Sequence, residues 1–212
     1  MSDKKFSDWM KVDLHIHTDW SKKTKHNDYK GIFSVTTLKE KLKDNQVQLF
    51  SMTDHNIINL EAYDEYYDSF NENEDPLLLV GVELDIIVEG GRPEAYHSLL
   101  IFNYTDKANA KRLHDLLESK YTEKEIDIFN RVLTIGEIVQ LFPDDDFFFI
   151  PHAGNTRSII DSYKNDINTA QKMVLLMQSA FEKVPEKNVQ RYNDGFDKHL
   201  EKAFRNKDDN AY

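Results

Sequence analysis

The feature that most constrains this chain is an apolar run that ends, several times over, in a metal-ligating side chain. Val12 to Thr18 carries both His15 and His17; Val47 to Met52 runs into Thr53-Asp54-His55; Leu77 to Val82 delivers Glu83; Phe147 to Ile150 ends at Pro151-His152. Short apolar runs rich in β-branched and aromatic residues read as buried strands. The segments between them carry helical spacing. Strands alternating with helices argue for an α/β fold, and polar groups at the carboxyl ends of such strands collect at one mouth. His15, His17, His55, Glu83, His97 and His152 are therefore expected to meet, although they are scattered along most of the chain.

The intervening segments support that alternation. A helix is expected from Val35 to Asp44, with Thr37 and Glu40 in capping-box spacing. Leu60, Tyr63, Tyr67 and Phe70 form a stripe that belongs to a core, on a helix between Ile57 and Phe70 with Asn56 as its cap. Leu84 to Val88 and Tyr96 to Phe102 read as two strands joined by a loop around Gly90-Gly91, with His97 at the start of the second. Lys107 to Lys120 is a further helix, and Thr134 with Glu137 opens another. Later come a helix near Thr169 to Leu175, a strand near Met177 to Phe181 and a polar helix from Lys187 to Phe204. No repeat or glycine-rich linker divides the chain, so residues 1–212 are expected to form a single domain.

Composition narrows the chemistry. The 212 residues include no cysteine, so there is no disulfide, no thiolate nucleophile and no cysteine-based zinc cage. Any metal must be held by His, Asp or Glu. No stretch approaches the roughly 18 apolar residues of a membrane span, and the opening MSDKKFSDWM lacks the apolar core of a signal peptide. A soluble cytoplasmic protein with no membrane partner is the expectation. The net charge of -11 opposes nonspecific binding to nucleic acid through the overall field. The local cluster Lys22-Lys23-Thr24-Lys25 reads as a solvated loop.

On a strand His15 and His17 share a face, which makes half of a metal site, and Asp13 is placed to orient one imidazole. Two histidines alternating on an edge strand would look the same. The ligands farther along the chain favour the metal reading. Together, Asp13-Leu14-His15-Ile16-His17, Thr53-Asp54-His55, Gly81-Val82-Glu83, His97 and Pro151-His152 closely resemble the PHP family, named for polymerase and histidinol phosphatase. The resemblance runs from about residue 11 to about residue 155.

That resemblance implies a distorted, TIM-like (β/α)7 barrel holding two or three divalent metal ions, commonly zinc, manganese or iron, that hydrolyses phosphate esters. By the same resemblance His15 and His17 bind a first metal, Glu83 bridges it to a second, and His97 and His152 complete the second site. His55 matches the ligand of a third metal, with Asp54 beside it as orienter or further ligand. The loop after the first motif offers either Asp28 or His26 as a third-site ligand, and Asp28 is preferred as a hard oxygen donor for manganese. Two metals sharing a carboxylate can hold a hydroxide near neutral pH and clamp the attacked phosphate. Arg157 is suited to a substrate phosphate by its planar fork.

The family also closes its site with a late D-x-H motif. The late match here, Asp197-Lys198-His199, sits in a polar helical pattern and is not expected to be that motif. With strands expected near Val12, Leu49, Leu77, Leu99, Phe147 and Gln178, the barrel lacks its last strand, and the chain reads as the N-terminal part of a longer protein. PHP modules resembling this one occur at the front of large ATPases, so a fused or associated ATPase domain is an expected partner. The substrate expected from the resemblance is a small phosphate ester or a nucleic-acid end. The alternative is a metal-binding partner module without turnover, in a larger ATPase of DNA transactions or phage defence. A related amidohydrolase is disfavoured, because no lysine stands at an expected strand end.

Overall fold

In the computed structural model of the chain, residues 9–25, 29–88 and 94–152 are described. The elements expected beyond residue 152, and Gly90 and Gly91, lie outside the described residues. What is described is mixed α/β. The strands are β1 (Val12–Ile16), β2 (Leu49–Met52), β3 (Leu77–Ile87), β4 (Tyr96–Phe102), β5 (Leu133–Thr134) and β6 (Phe147–Pro151). The helices are α1 (Val35–Asp44), α2 (Leu60–Asp68), α3 (Lys107–Glu123) and α4 (Ile135–Leu141). Pairing runs β1-β2-β3-β4-β6, and β5 joins β3 off that path. The pairs β1–β2, β2–β3 and β3–β5 are parallel, as helical crossovers require.

Contacts divide the chain into two compact units, Met1–Val82 with Ile101–Asn130 and Glu83–Leu100 with Arg131–Tyr212. In the first unit Phe50 and Met52 of β2, Leu78, Val80 and Val82 of β3, and Leu113, Leu117 and Tyr121 of α3 are buried. Helix α2 packs on α1 and α3, and Tyr63 and Tyr66 lose all solvent exposure. A buried phenol needs a partner for its hydroxyl. Tyr63 donates to Met52 O at 2.8 Å and accepts from the Gly81 N–H at 2.9 Å, while Tyr66 donates to Pro76 O. Burial pushes the Tyr63 phenol up, so it stays a neutral donor. The aromatic stripe is thus core, with Tyr66 added to it and Phe70 at its exposed rim.

Two helix caps differ from the sequence expectation. Ser34, not Thr37, caps α1, its Oγ accepting from Thr37 N at 3.3 Å. Asn59, not Asn56, caps α2, because Asn56 has φ 57° in the left-handed region and cannot supply the non-helical cap geometry there. At α4 the expected capping box is present: Thr134 Oγ1 accepts from Glu137 N, and Glu137 Oε2 accepts from Thr134 N.

Asp75, in the turn before β3, ties that turn to α1. Its Oδ2 meets Lys39 Nζ at 2.7 Å and the Asn71 N–H at 2.9 Å, and its Oδ1 meets Lys43 Nζ at 2.8 Å. Burial works against ionisation, but the hydrogen bonds from Lys39, Lys43 and Asn71 outweigh it and hold the carboxyl at about 2 instead of its ordinary 3.8. Folding therefore favours the ionised form, and the stabilisation is complete above pH 4 and lost as pH falls toward 2. Because Lys43 is solvated, the pairs are screened and we expect a contribution on the order of 1 kcal/mol. Urea titrations of Asp75→Asn should show the full deficit at pH 7 and a smaller one at pH 2.5, where protonation of the folded carboxyl has begun.

In the second unit Leu84 and Ile86 of β3, Tyr96, Leu99 and Leu100 of β4, Leu133, Ile138 and Phe149 form the core. The His152 N–H donates to His97 O at 2.9 Å, which fixes β6 against β4. The run Leu77 to Val82 and the segment Leu84 to Val88, expected from sequence as separate strands, are joined in one strand, β3, which ends at Ile87. β5, two residues long, has no sequence signal of its own.

Candidate metal centre

The first unit contributes three histidines. β1 and β2 lose register between Asp13 and Ile16, an irregularity that spans Leu14 and His15. Such bulges re-aim a side chain without breaking the sheet. His15 Nε2 and His17 Nε2 lie 3.0 Å apart, so both rings turn their outer nitrogens to one point. The ring of His17 packs edge-on against that of His55, centroids 4.5 Å apart. Asp13, expected to orient an imidazole, instead accepts from the backbone N–H of His15 at 3.3 Å and is exposed.

Asp54 is almost fully buried, and it grips the loop that follows the first motif. Its Oδ1 accepts from Thr18 N at 2.7 Å and from Ser21 Oγ at 2.7 Å, and its Oδ2 accepts from Thr18 Oγ1 at 2.6 Å. Burial pushes its carboxyl above the usual range, against the pull of those donors. The hydrogen bonds make it an anchor for the loop beside His17. Thr18 and Ser21 escape a sequence reading, since their partner lies more than thirty residues away. His114 is half-buried, with Nδ1 3.0 Å from Ile58 O.

The second unit contributes two carboxylates and two more histidines. Glu83 Oε1 lies 3.0 Å from His97 Nδ1 and 3.0 Å from His152 Nε2. The other ring nitrogen of His97, Nε2, lies 3.0 Å from Asp85 Oδ1. Glu83 and Asp85 have no solvent exposure. Burial alone would lower the pKa of His97, but Asp85 and then Glu83 outweigh it and the ring is raised above its usual value. Asp85 was not singled out in the sequence, although it stands two residues after Glu83 on β3 and so projects from the same face.

Each cluster suits a first-row divalent cation by donor type: imidazole nitrogen in one unit, imidazole and carboxylate in the other. Buried carboxylates and ring nitrogens about 3 Å apart are atoms that a cation would hold together once their protons leave. Asp28, His26, Arg157, Asp197 and His199 lie outside the described residues.

Among the described residues, then, the chain is a mixed α/β protein with a buried cluster of histidines and carboxylates. Its fold is similar to that of a Bifidobacterium adolescentis protein described as a "putative metal-dependent phosphoesterase", with a TM-score of 0.54 and 13% identity over 91% of this chain and 85% of that one. At that identity the likeness is one of fold. No family model matches the chain, and no curated protein does. Among the described residues no helix is long and apolar enough to cross a membrane.

Proposed function

We propose that the protein is a divalent-metal-dependent hydrolase of phosphate esters, of the PHP type, with its strands belonging to a distorted (β/α)7 barrel. The observation that carries this reading is the convergence of His97 Nδ1 and His152 Nε2 on one buried oxygen, Glu83 Oε1, each at 3.0 Å. His15, His17, His55, Glu83, His97 and His152, with Asp28, are the residues to hold two or three ions of zinc, manganese or iron. A bound ion supplies Lewis acidity at a phosphoryl oxygen and acidifies water. The chain does the rest: Asp54 keeps the loop after His17 in place through Thr18 and Ser21, Glu83 presents one oxygen to both His97 and His152, and Arg157 takes the substrate phosphate. The substrate is a small phosphate ester or a nucleic-acid end, and an ATPase domain is the proposed partner, in the cytoplasm.

Hydrolysis of a chromogenic phosphomonoester and diester, with added Mn2+, tests this. We expect metal-stimulated turnover that His17→Ala lowers by about 100-fold or more, since losing a direct ligand costs at least as much as losing a group that orients one. Equal background rates in both proteins would leave the metal-binding partner module as the surviving reading.

A further inference from the structure

The proposed function leaves Asp85 without a part, yet it is a fully buried carboxylate 3.0 Å from a ligand ring. Burying a carboxylate is costly unless a partner compensates it, so such a group demands an account. The two ring nitrogens of His97 face different carboxylates. Nδ1 faces Glu83 Oε1, the oxygen that His152 Nε2 also meets, whereas Nε2 faces Asp85 Oδ1. The donors converge at Glu83; Asp85 stands behind the ring. An imidazole that gives one nitrogen to a cation keeps its proton on the other, and that N–H needs an acceptor which fixes the tautomer and the ring plane.

We infer that Asp85 is a positioning residue: it accepts the Nε2–H of His97 and thereby presents Nδ1, unprotonated and correctly turned, beside Glu83 and His152. The two carboxylates are set by one strand, because residues 83 and 85 alternate onto the same face of β3. Leu84 and Ile86, fully buried, point the opposite way and lock that strand's rotation. Each ring nitrogen of His97 thus has a carboxylate oxygen 3.0 Å away, and both carboxylates come from alternate positions of one strand. The inference rests on the metal reading of the same cluster, and goes beyond it in naming the residue that selects the tautomer.

The test is a Co2+ titration of the metal-free full chain, followed by visible absorption, for the wild type, Asp85→Asn and Asp85→Ala, with circular dichroism to check folding. Asparagine keeps the shape and an acceptor oxygen but loses the charge. We expect Co2+ affinity to fall about 10- to 100-fold in Asp85→Asn and further in Asp85→Ala, with the saturated spectrum of Asp85→Asn unchanged because every ligand is retained. A second measurement, long-range 1H–15N spectra of the wild type loaded with Zn2+, should show His97 as the Nε2–H tautomer. Unchanged affinity in both variants, or the Nδ1–H tautomer, overturns the inference while leaving the metal reading intact. A saturated spectrum that changes in Asp85→Asn also overturns it, by making Asp85 a ligand. No Co2+ binding by the folded wild type overturns the metal reading and the inference together.

Discussion

Replacing Glu83 by glutamine is expected to cut Mn2+-stimulated phosphoester hydrolysis by at least about 100-fold and to lower the bound metal measured after dialysis. The side chain keeps its shape, so the effect isolates the charge. Glu83 Oε1 is the oxygen that both His97 and His152 approach, and an amide there has far less affinity for a cation. Stability of the metal-free protein should move the other way or barely at all, because a fully buried carboxylate is expensive to desolvate and an amide is not. A melt of the apoprotein within a few degrees of wild type, together with lost metal, is the signature of a ligand. Full metal retention by Glu83→Gln would sink its proposed role.

The largest loss of stability is expected two residues earlier. At Gly81 an added Cβ would collide with Ser51 Oγ and lie 3.0 Å from both Ile101 Cδ1 and Thr53 Cγ2. The side chain of Ser51 is committed, donating to Leu79 O at 3.0 Å, and the Gly81 N–H is held by the Tyr63 hydroxyl at 2.9 Å. Neither side can give way without breaking one of these hydrogen bonds. Gly81→Ala should therefore cost about 2–3 kcal/mol in urea unfolding, the upper part of the range for overpacking a filled interior. The double variant Gly81→Ala/Ser51→Ala should recover part of that loss, since the atom struck first is gone. Strict additivity of the two single changes would show that Ser51 is not the obstacle.

Much of this fold can be read in the residues, and the failures share a cause. β1, β2, β4 and β6 stand out because their apolar runs are bounded by turn residues and polar clusters. β3 does not, because Glu83 and Asp85 interrupt its apolar pattern on one face, and a polar residue after an apolar run looks like a strand end. The strand therefore reads as two, and Asp85 does not stand out beside Glu83. The alternation of Glu83, Leu84, Asp85 and Ile86 was the signal that could have found both. The histidines were legible as types and spacings, His15 with His17 and His97 with His152. The bonds of Asp54 to Thr18 and Ser21 were not, because nothing local links residues so distant in sequence. The cap shift from Asn56 to Asn59 has a backbone origin, a left-handed residue that delays the helix by one turn.

Thr18 gives this arrangement a mechanical character. Its hydroxyl donates to Asp54 Oδ2, and accepts from Trp20 N at 3.2 Å and from Asn59 Nδ2 at 2.7 Å, which uses its one proton and both lone pairs. Asn59 in turn accepts from Ala62 N at the first turn of α2. One saturated oxygen therefore joins the loop after His17, the end of β2 and the start of a helix into a single latch. A solvent molecule has no vacancy there through which to loosen one connection at a time. Opening of that loop should be all-or-none, with the amides of Thr18, Trp20 and Ala62 exchanging their hydrogens at one common rate.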